Sequence, residues 1–166
     1  MWCAVIPTYN NAGTIRRVVE DVRRQARHVI VVDDGSTDGT ADRLEGLDIL
    51  LMRHGRNRGK GRALQTGLRH ARSLGFKEAV TLDGDGQHFA DDIPALLQAA
   101  ARRPGSLVVG SRDLAANGMP VRNTMANRLS NFGFRLQTGI RLPDTQTGFR
   151  LYPLCRMGNL WWLTAR

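Results

Sequence analysis

Short aliphatic runs alternate along this chain with stretches whose apolar positions recur every three to four residues. Ala4 to Ile6 opens a strand that Pro7 is expected to close, because proline has no backbone N–H to give a ladder. Ile15, Val18, Val19 and Val22 then fall on one side of a helix, with Arg16, Arg17, Arg23 and Arg24 elsewhere around it. Val29 to Val32 is continuously apolar, the pattern of a parallel strand covered on both faces. A short helix is predicted from Thr37 or Asp38, then a strand at Ile49 to Met52. Ala63, Leu64, Leu68, Ala71 and Leu74 mark the next helix, and Ala79 to Leu82 the next strand. A helix over Ile93 to Ala101 leads to a strand at Leu107 to Val109, ending at Gly110. The regular alternation stops there. Val121, Met125, Leu129, Phe132 and Leu136 make a longer amphipathic helix, followed by a loop with Pro143 and a strand at Phe149 to Tyr152. Strands alternating with helices predict an α/β fold, a mostly parallel central sheet with helices on both faces.

At 166 residues the chain has the length of one domain, and 42% hydrophobic with 23% charged residues is a globular composition. No uncharged apolar run approaches the ~20 residues that span a bilayer, and no basic leader precedes the first strand, so a cytoplasmic location is expected. Cys3 and Cys155 have no metal-like or redox-like spacing and read as reduced thiols. The 24 Lys and Arg against 15 Asp and Glu leave a net charge of +9, unevenly placed. Between Asp48 and Glu78 there is no acid, while Arg53, Arg56, Arg58, Lys60, Arg62, Arg69, Arg72 and Lys77 are all basic. Such a block attracts polyanions: nucleic acid, anionic lipid or phosphorylated small molecules. A solvated helix face is the competing reading for its outer members, Arg69 and Arg72.

Open parallel sheets bind ligands beyond the carboxyl ends of their strands. Four such ends carry chemistry: Pro7-Thr8-Tyr9-Asn10, Asp33-Asp34-Gly35-Ser36, Asp83-Gly84-Asp85-Gly86-Gln87-His88 and Gly110-Ser111-Arg112. No G-x-G-x-x-G follows the first strand, and Gly55 to Gly61 is one residue short of a P-loop and lacks its Ser or Thr. A dinucleotide dehydrogenase and a P-loop phosphotransferase are both disfavoured. Asp83 and Asp85, two apart in an extended segment, would point to the same side and share one hard cation, Mg²⁺ or Mn²⁺, with diphosphate oxygens and water completing its shell. Gly84 and Gly86 would leave room for phosphate, although Asp-Gly pairs also make plain surface turns. Asp33 and Asp34 would aim in opposite directions, one toward a ligand and one into the loop, with Ser36, Thr37 or Asp38 as helix caps. Asn57, Gly59, Lys60 and Gly61 form a basic lip able to offer backbone N–H groups and an ammonium to phosphate, or else an ordinary loop.

Pro7-Thr8-Tyr9-Asn10, Asp33-Asp34-Gly35-Ser36-Thr37-Asp38, Asn57-x-Gly59-Lys60-Gly61, Asp83-x-Asp85-x-Gln87-His88 and Asp144-x-Gln146-x-Gly148-Phe149-Arg150 occur in that order. With these five motifs the chain resembles the family 2 glycosyltransferases, and within them the dolichyl-phosphate and polyprenyl-phosphate sugar transferases, from Ala4 to about Tyr152. The resemblance implies a glycosyltransferase A fold with a Rossmann-like nucleotide-binding half and a UDP- or GDP-sugar donor. Pro7, Tyr9, Asp33 and Asp34 would hold the nucleoside, Lys60 would approach the donor phosphates, and Ser111 and Arg112 would complete the donor site. Asp83, Asp85 and Gln87 would hold Mg²⁺ or Mn²⁺. Inverting attack by an acceptor oxygen is implied, with Asp85, Asp144 and Arg150 as candidate catalytic residues; a phosphate acceptor needs no base, whereas a hydroxyl would make Asp144 the base. Arg122 and Arg128 would meet the acceptor, a lipid phosphate or a glycan, where ordinary helix-surface charge is the rival reading.

Family members usually continue beyond this point. One domain over 1–166 is therefore expected to be incomplete at its C-terminus, with 1–112 as the nucleotide-sugar half and 113–166 as a partial acceptor half. Leu160-Trp161-Trp162-Leu163 reads as core left partly exposed, or as a peripheral contact with the inner face of the cytoplasmic membrane. Two other function classes stay open: a non-catalytic binder of nucleic acid or an anionic surface, and a nucleotidyltransferase using similar carboxylates. Few aromatic residues and no RNA-binding signature count against nucleic acid as a partner.

Overall fold

In a computed structural model that describes residues 1–110 and 147–157, six strands form one sheet. In chain order the elements are β1 (Trp2–Thr8), α1 (Ile15–Gln25), β2 (Val29–Asp33), β3 (Leu50–Arg53), α2 (Lys60–Ser73), β4 (Glu78–Thr81), α3 (Ile93–Arg102), β5 (Val108–Val109) and β6 (Arg150–Pro153). The strand order is β3-β2-β1-β4-β6-β5. Pairings among β1 to β4 are parallel, and β6 runs antiparallel between β4 and β5.

The two-residue period of the strands sorts their side chains onto two faces. Ala4, Ile6, Val29, Val31 and Val80 pack against Ile15, Val18, Val19 and Val22 of α1 and Ile93, Leu96 and Ala100 of α3. Cys3, Val5, Ile30, Val32 and Ala79 face Ala63, Leu68 and Ala71 of α2, with Tyr152 and Leu154 beside them. Helices thus cover both faces of a largely parallel sheet, which is why Val29–Val32 shows no polar position.

Three expectations about elements change. β1 runs through Pro7 to Thr8, with Pro7 opposite Val32. Alternate β1 residues turn their amides toward β2, Ala4 among them, so the missing Pro7 N–H faces β4, whose ladder has already ended at Thr81. The helix expected near Thr37 is replaced by a 3₁₀ turn at Asp42–Leu44. Ser36 and Asp38 cap loop backbone instead: Ser36 Oγ accepts from Asn10 N, and Asp38 from Ala12 N and Thr40 N. Asp83 to Gln87 is a turn and not an extended segment, with Gly86 at φ +79°. The amphipathic helix expected from Val121 to Leu136 lies outside the described residues, as do Trp161 and Trp162.

Candidate active site

At the carboxyl ends of β1, β2 and β4 lies a cleft of about 280 Å³, lined by Pro7, Thr8, Tyr9, Asn11, Asp34, Asn57, Gly59, Lys60, Ala63, Asp83, Gly84 and Asp85. Three of the five sequence motifs meet there directly, and a fourth is represented by Asp34. The loop after β1 is laced to the loop after β2: Asn10 takes a left-handed φ of 53°, its Oδ1 accepts from Thr37 N, and Asn11 N donates to Thr40 Oγ1. This holds Tyr9, 43% exposed, at the cleft mouth.

Asp33 and Asp34 divide their work. Asp34 accepts from Arg58 N and Gly59 N, the latter at 2.7 Å, and from His54 Nδ1 at 2.6 Å, so its carboxylate grips the basic lip. Asp33 is fully buried and does not line the cleft; Oδ1 accepts from Ser36 N, and Arg53 Nε stands 3.0 Å from Oδ2. That ion pair lacks hydrogen-bond alignment, and Asp33 Oδ2 accepts no hydrogen bond among the described residues. Gly35, at φ +78°, packs directly under the lip: a Cβ there would lie 2.5 Å from Arg56 C.

Asp83 lies against two basic side chains. Lys60 Nζ stands 2.7 Å from its Oδ1 and 2.8 Å from Oδ2, and His88 Nε2 is 3.7 Å from Oδ2. Burial pushes the Asp83 carboxyl up, but the neighbouring His88 and the Lys60 ammonium outweigh it and hold the group below the usual carboxylate range. Asp85 is exposed at the same cleft, its Oδ1 accepting from Gln87 N across the turn. Gln87 is exposed and does not line the cleft. The two glycines serve the protein side rather than a phosphate: a Cβ on Gly84 would meet Thr8 Oγ1 at 2.8 Å and Ile15 at 3.1 Å, and one on Gly86 would approach Arg17 and Val18.

The last motif reaches the site through backbone. Thr81 Oγ1 donates to Gly148 O at 2.7 Å, and a Cβ on Gly148 would collide with both Asp83 carboxylate oxygens. Phe149 stacks on His88 with ring centroids 5.6 Å apart. Arg150 starts β6 opposite Thr81, donates through Nε to Thr147 O, and does not line the cleft. Ser111, Arg112, Arg122, Arg128 and Asp144 lie outside the described residues. Of the residues without an assigned role, His54 carried no sequence signal, whereas His88 and Gly148 stood in the sequence only as members of motifs.

The family model for "Glycosyl transferase family 2" matches residues 3–154. A UDP-N-acetylglucosamine–dolichyl-phosphate N-acetylglucosaminyltransferase from Methanococcus voltae is 32% identical over 89% of this chain and 67% of its own length. An undecaprenyl-phosphate mannosyltransferase from Micrococcus luteus is 30% identical over 89% of this chain and 64% of its length. Among solved structures, glucosyl-3-phosphoglycerate synthase from Mycobacterium tuberculosis, in complex with Mn²⁺, UDP-glucose and phosphoglyceric acid, superposes with a TM-score of 0.72 at 21% identity, covering 93% of this chain and 57% of that one. That likeness is one of fold, the glycosyltransferase A type. This chain spans roughly two thirds or less of the length of these relatives. With 152 of its residues inside the family match and four of its motifs represented in one cleft at the strand ends, the chain belongs to glycosyl transferase family 2.

Proposed function

We propose that this protein transfers a sugar, with inversion, from a nucleoside diphosphate-sugar to a polyprenyl phosphate or a related lipid or glycan acceptor. The observation that carries the reading is the meeting of Tyr9, Lys60, Asp83 and Asp85 in one cleft at the strand ends. The named acceptors of the two relatives, dolichyl phosphate and undecaprenyl phosphate, support a lipid phosphate. That chemistry would place the protein at the inner face of the cytoplasmic membrane; no helix among the described residues is long and apolar enough to cross it.

The residues fit a divalent cation. Asp83 and Asp85 offer hard oxygens at one cleft, and Asp83 already holds a cation, the Lys60 ammonium. Among the described residues no three His, Cys, Asp or Glu side chains form a ready cage, so two carboxylates, with Gln87 as a further candidate ligand, would leave the rest of the shell to diphosphate and water. When bound, Mg²⁺ or Mn²⁺ neutralises the charge that grows on the departing nucleoside diphosphate.

The protein's own groups supply the rest. Pro7 and Tyr9 form the wall for the base, and Asp33 Oδ2, which faces Arg53 but accepts no hydrogen bond among the described residues, supports that carboxylate as the acceptor for a base or ribose donor. Lys60 opens α2, a helix whose N-cap residue Gly59 makes no side-chain cap, so its ammonium and the first-turn N–H groups suit the donor diphosphate. The acceptor oxygen attacks the anomeric carbon, the bond to the diphosphate breaks, and the electron pair leaves with the nucleotide. A phosphate acceptor arrives anionic, so no base is required, and Asp144 serves as base only for a hydroxyl. Arg122 and Arg128 are assigned to the acceptor phosphate, Arg150 to the reacting centre, and Ser111 and Arg112 to the donor.

The test is a thermal-shift screen of UDP- and GDP-sugars with Mn²⁺ and Mg²⁺, followed by a search for labelled sugar in the organic phase with a polyprenyl phosphate acceptor. Stabilisation by one donor series only in the presence of metal is expected. Stabilisation by nucleic acid alone, falling steeply with salt, would contradict it.

A further inference from the structure

His54 sits in the acid-free basic run, at the end of β3, and its side chain is 9% exposed. Its backbone N donates to Asp33 O at 2.9 Å, which fixes the residue beside the end of β2. Nδ1 lies 2.6 Å from Asp34 Oδ1, and since a carboxylate only accepts, Nδ1 carries the hydrogen. Nε2 lies 3.0 Å from Thr66 Oγ1, on α2. The same Asp34 carboxylate accepts the amides of Arg58 and Gly59, the residues that immediately precede Lys60.

Two sides of a brace follow. Asp34 fixes the backbone that enters α2, and Thr66 fixes the helix itself, with the imidazole joining them. Arg56 and Arg58 place like charge on the lip, which on its own would spread it into solvent. The buried carboxylate and the ring oppose that spread. Lys60, whose ammonium reaches Asp83 across the cleft, inherits its placement from the Gly59 amide held at 2.7 Å.

We infer that His54 is a positioning residue that, through Asp34 and Thr66, sets the Lys60 ammonium for the donor diphosphate. The inference rests on the reading that Lys60 meets those phosphates. Hydrogen bonds to a charged group are among the stronger ones, so removing the imidazole should loosen the lip that Asp34 holds.

The experiment is calorimetry on the full chain with UDP and GDP in Mn²⁺, and with uridine and guanosine, for wild type, His54→Leu, His54→Asn, Thr66→Val, Lys60→Ala and the His54→Leu/Lys60→Ala double variant. His54→Leu should weaken diphosphate binding about tenfold and leave nucleoside binding unchanged. His54→Asn, which keeps a donor for Asp34, should restore most of the loss. In the Lys60→Ala background His54→Leu should add nothing, because its effect passes through that ammonium. Equal losses for nucleoside and diphosphate, or losses that multiply in the double variant, would show a merely structural role and overturn the inference. Thr66→Val supplies the same comparison if His54→Leu does not fold, with a smaller loss confined to the diphosphate. If Lys60→Ala itself leaves diphosphate binding intact, the reading beneath the inference fails, and the inference fails with it.

Discussion

Asp83 is the residue on which the site turns, and its neighbours make sharp predictions. Its carboxyl is held low in the folded protein, so its stabilising contribution is present above the unfolded carboxylate value of about 3.9 and is lost as pH falls through the lower folded value. Acid unfolding of wild type should therefore steepen below about pH 4, and Asp83→Asn should flatten that limb in circular dichroism. On the proposed reading, Lys60 and a divalent cation would compete for the same carboxylate. Lys60→Gln should bind Mn²⁺ alone more tightly than wild type, read by electron paramagnetic resonance, while binding nucleoside diphosphate more weakly; unchanged Mn²⁺ affinity would mean that the ion pair does not occupy the cation's place. Burial pushes the Cys3 thiol up to about 12, whereas Cys155 is exposed. A thiol reagent should modify Cys155 quickly in the native protein and Cys3 only on unfolding. Asp83 and Asp85 were legible because two carboxylates bracket a glycine after an aliphatic strand. His54 was not, since a histidine in an arginine-rich run carries no spacing signal, and its partners come from β2 and α2.

At the scale of elements, the aliphatic periods located β1, β2, β4, α1, α2 and α3 to within a few residues, because burial on both sheet faces leaves an unbroken pattern. Elements governed by side-chain capping were harder to read. Asp38 and Thr40 spend their oxygens on loop amides, which cancels the helix that a Ser-Thr-Asp run suggests. The reversed direction of β6 is set by what it pairs with, β4 and β5, and no residue in Arg150–Pro153 announces it. The α2 face offers a direct check. A Cβ on Gly67 would lie 2.5 Å from Val5 Cγ1 and 3.1 Å from Val32 Cγ2, both stiff branched side chains in the core. Gly67→Ala gains up to ~1 kcal/mol of helix propensity. Overpacking should cost more, about 1–3 kcal/mol. A net loss of stability in urea unfolding is expected, and a gain would show that α2 stands further from β1 than described.

For the molecule as a whole, the split into a donor half before 112 and an acceptor half after it is less clean in the sheet than in the motif order. β6, from the later part, lies between β4 and β5, and Gly148 abuts the Asp83 carboxylate. A donor site at this cleft, as proposed, would need both parts of the chain. Gly148→Ala should therefore disturb Asp83 and weaken metal-dependent nucleotide binding, although it is more than sixty residues away in sequence. On the acceptor side, Arg122 and Arg128 are proposed from their place by the expected amphipathic helix and Asp144 from the last motif, and all three lie outside the described residues. The central claim, a metal-assisted cleft for a nucleoside diphosphate-sugar, is tested most directly by calorimetric titration of the full chain with UDP and with GDP, with and without Mn²⁺, in wild type and Asp83→Ala. The account predicts saturable binding of one nucleotide that requires Mn²⁺ and is lost in Asp83→Ala while the fold persists. Binding of neither nucleotide, or binding that is the same without metal and in Asp83→Ala, would contradict it.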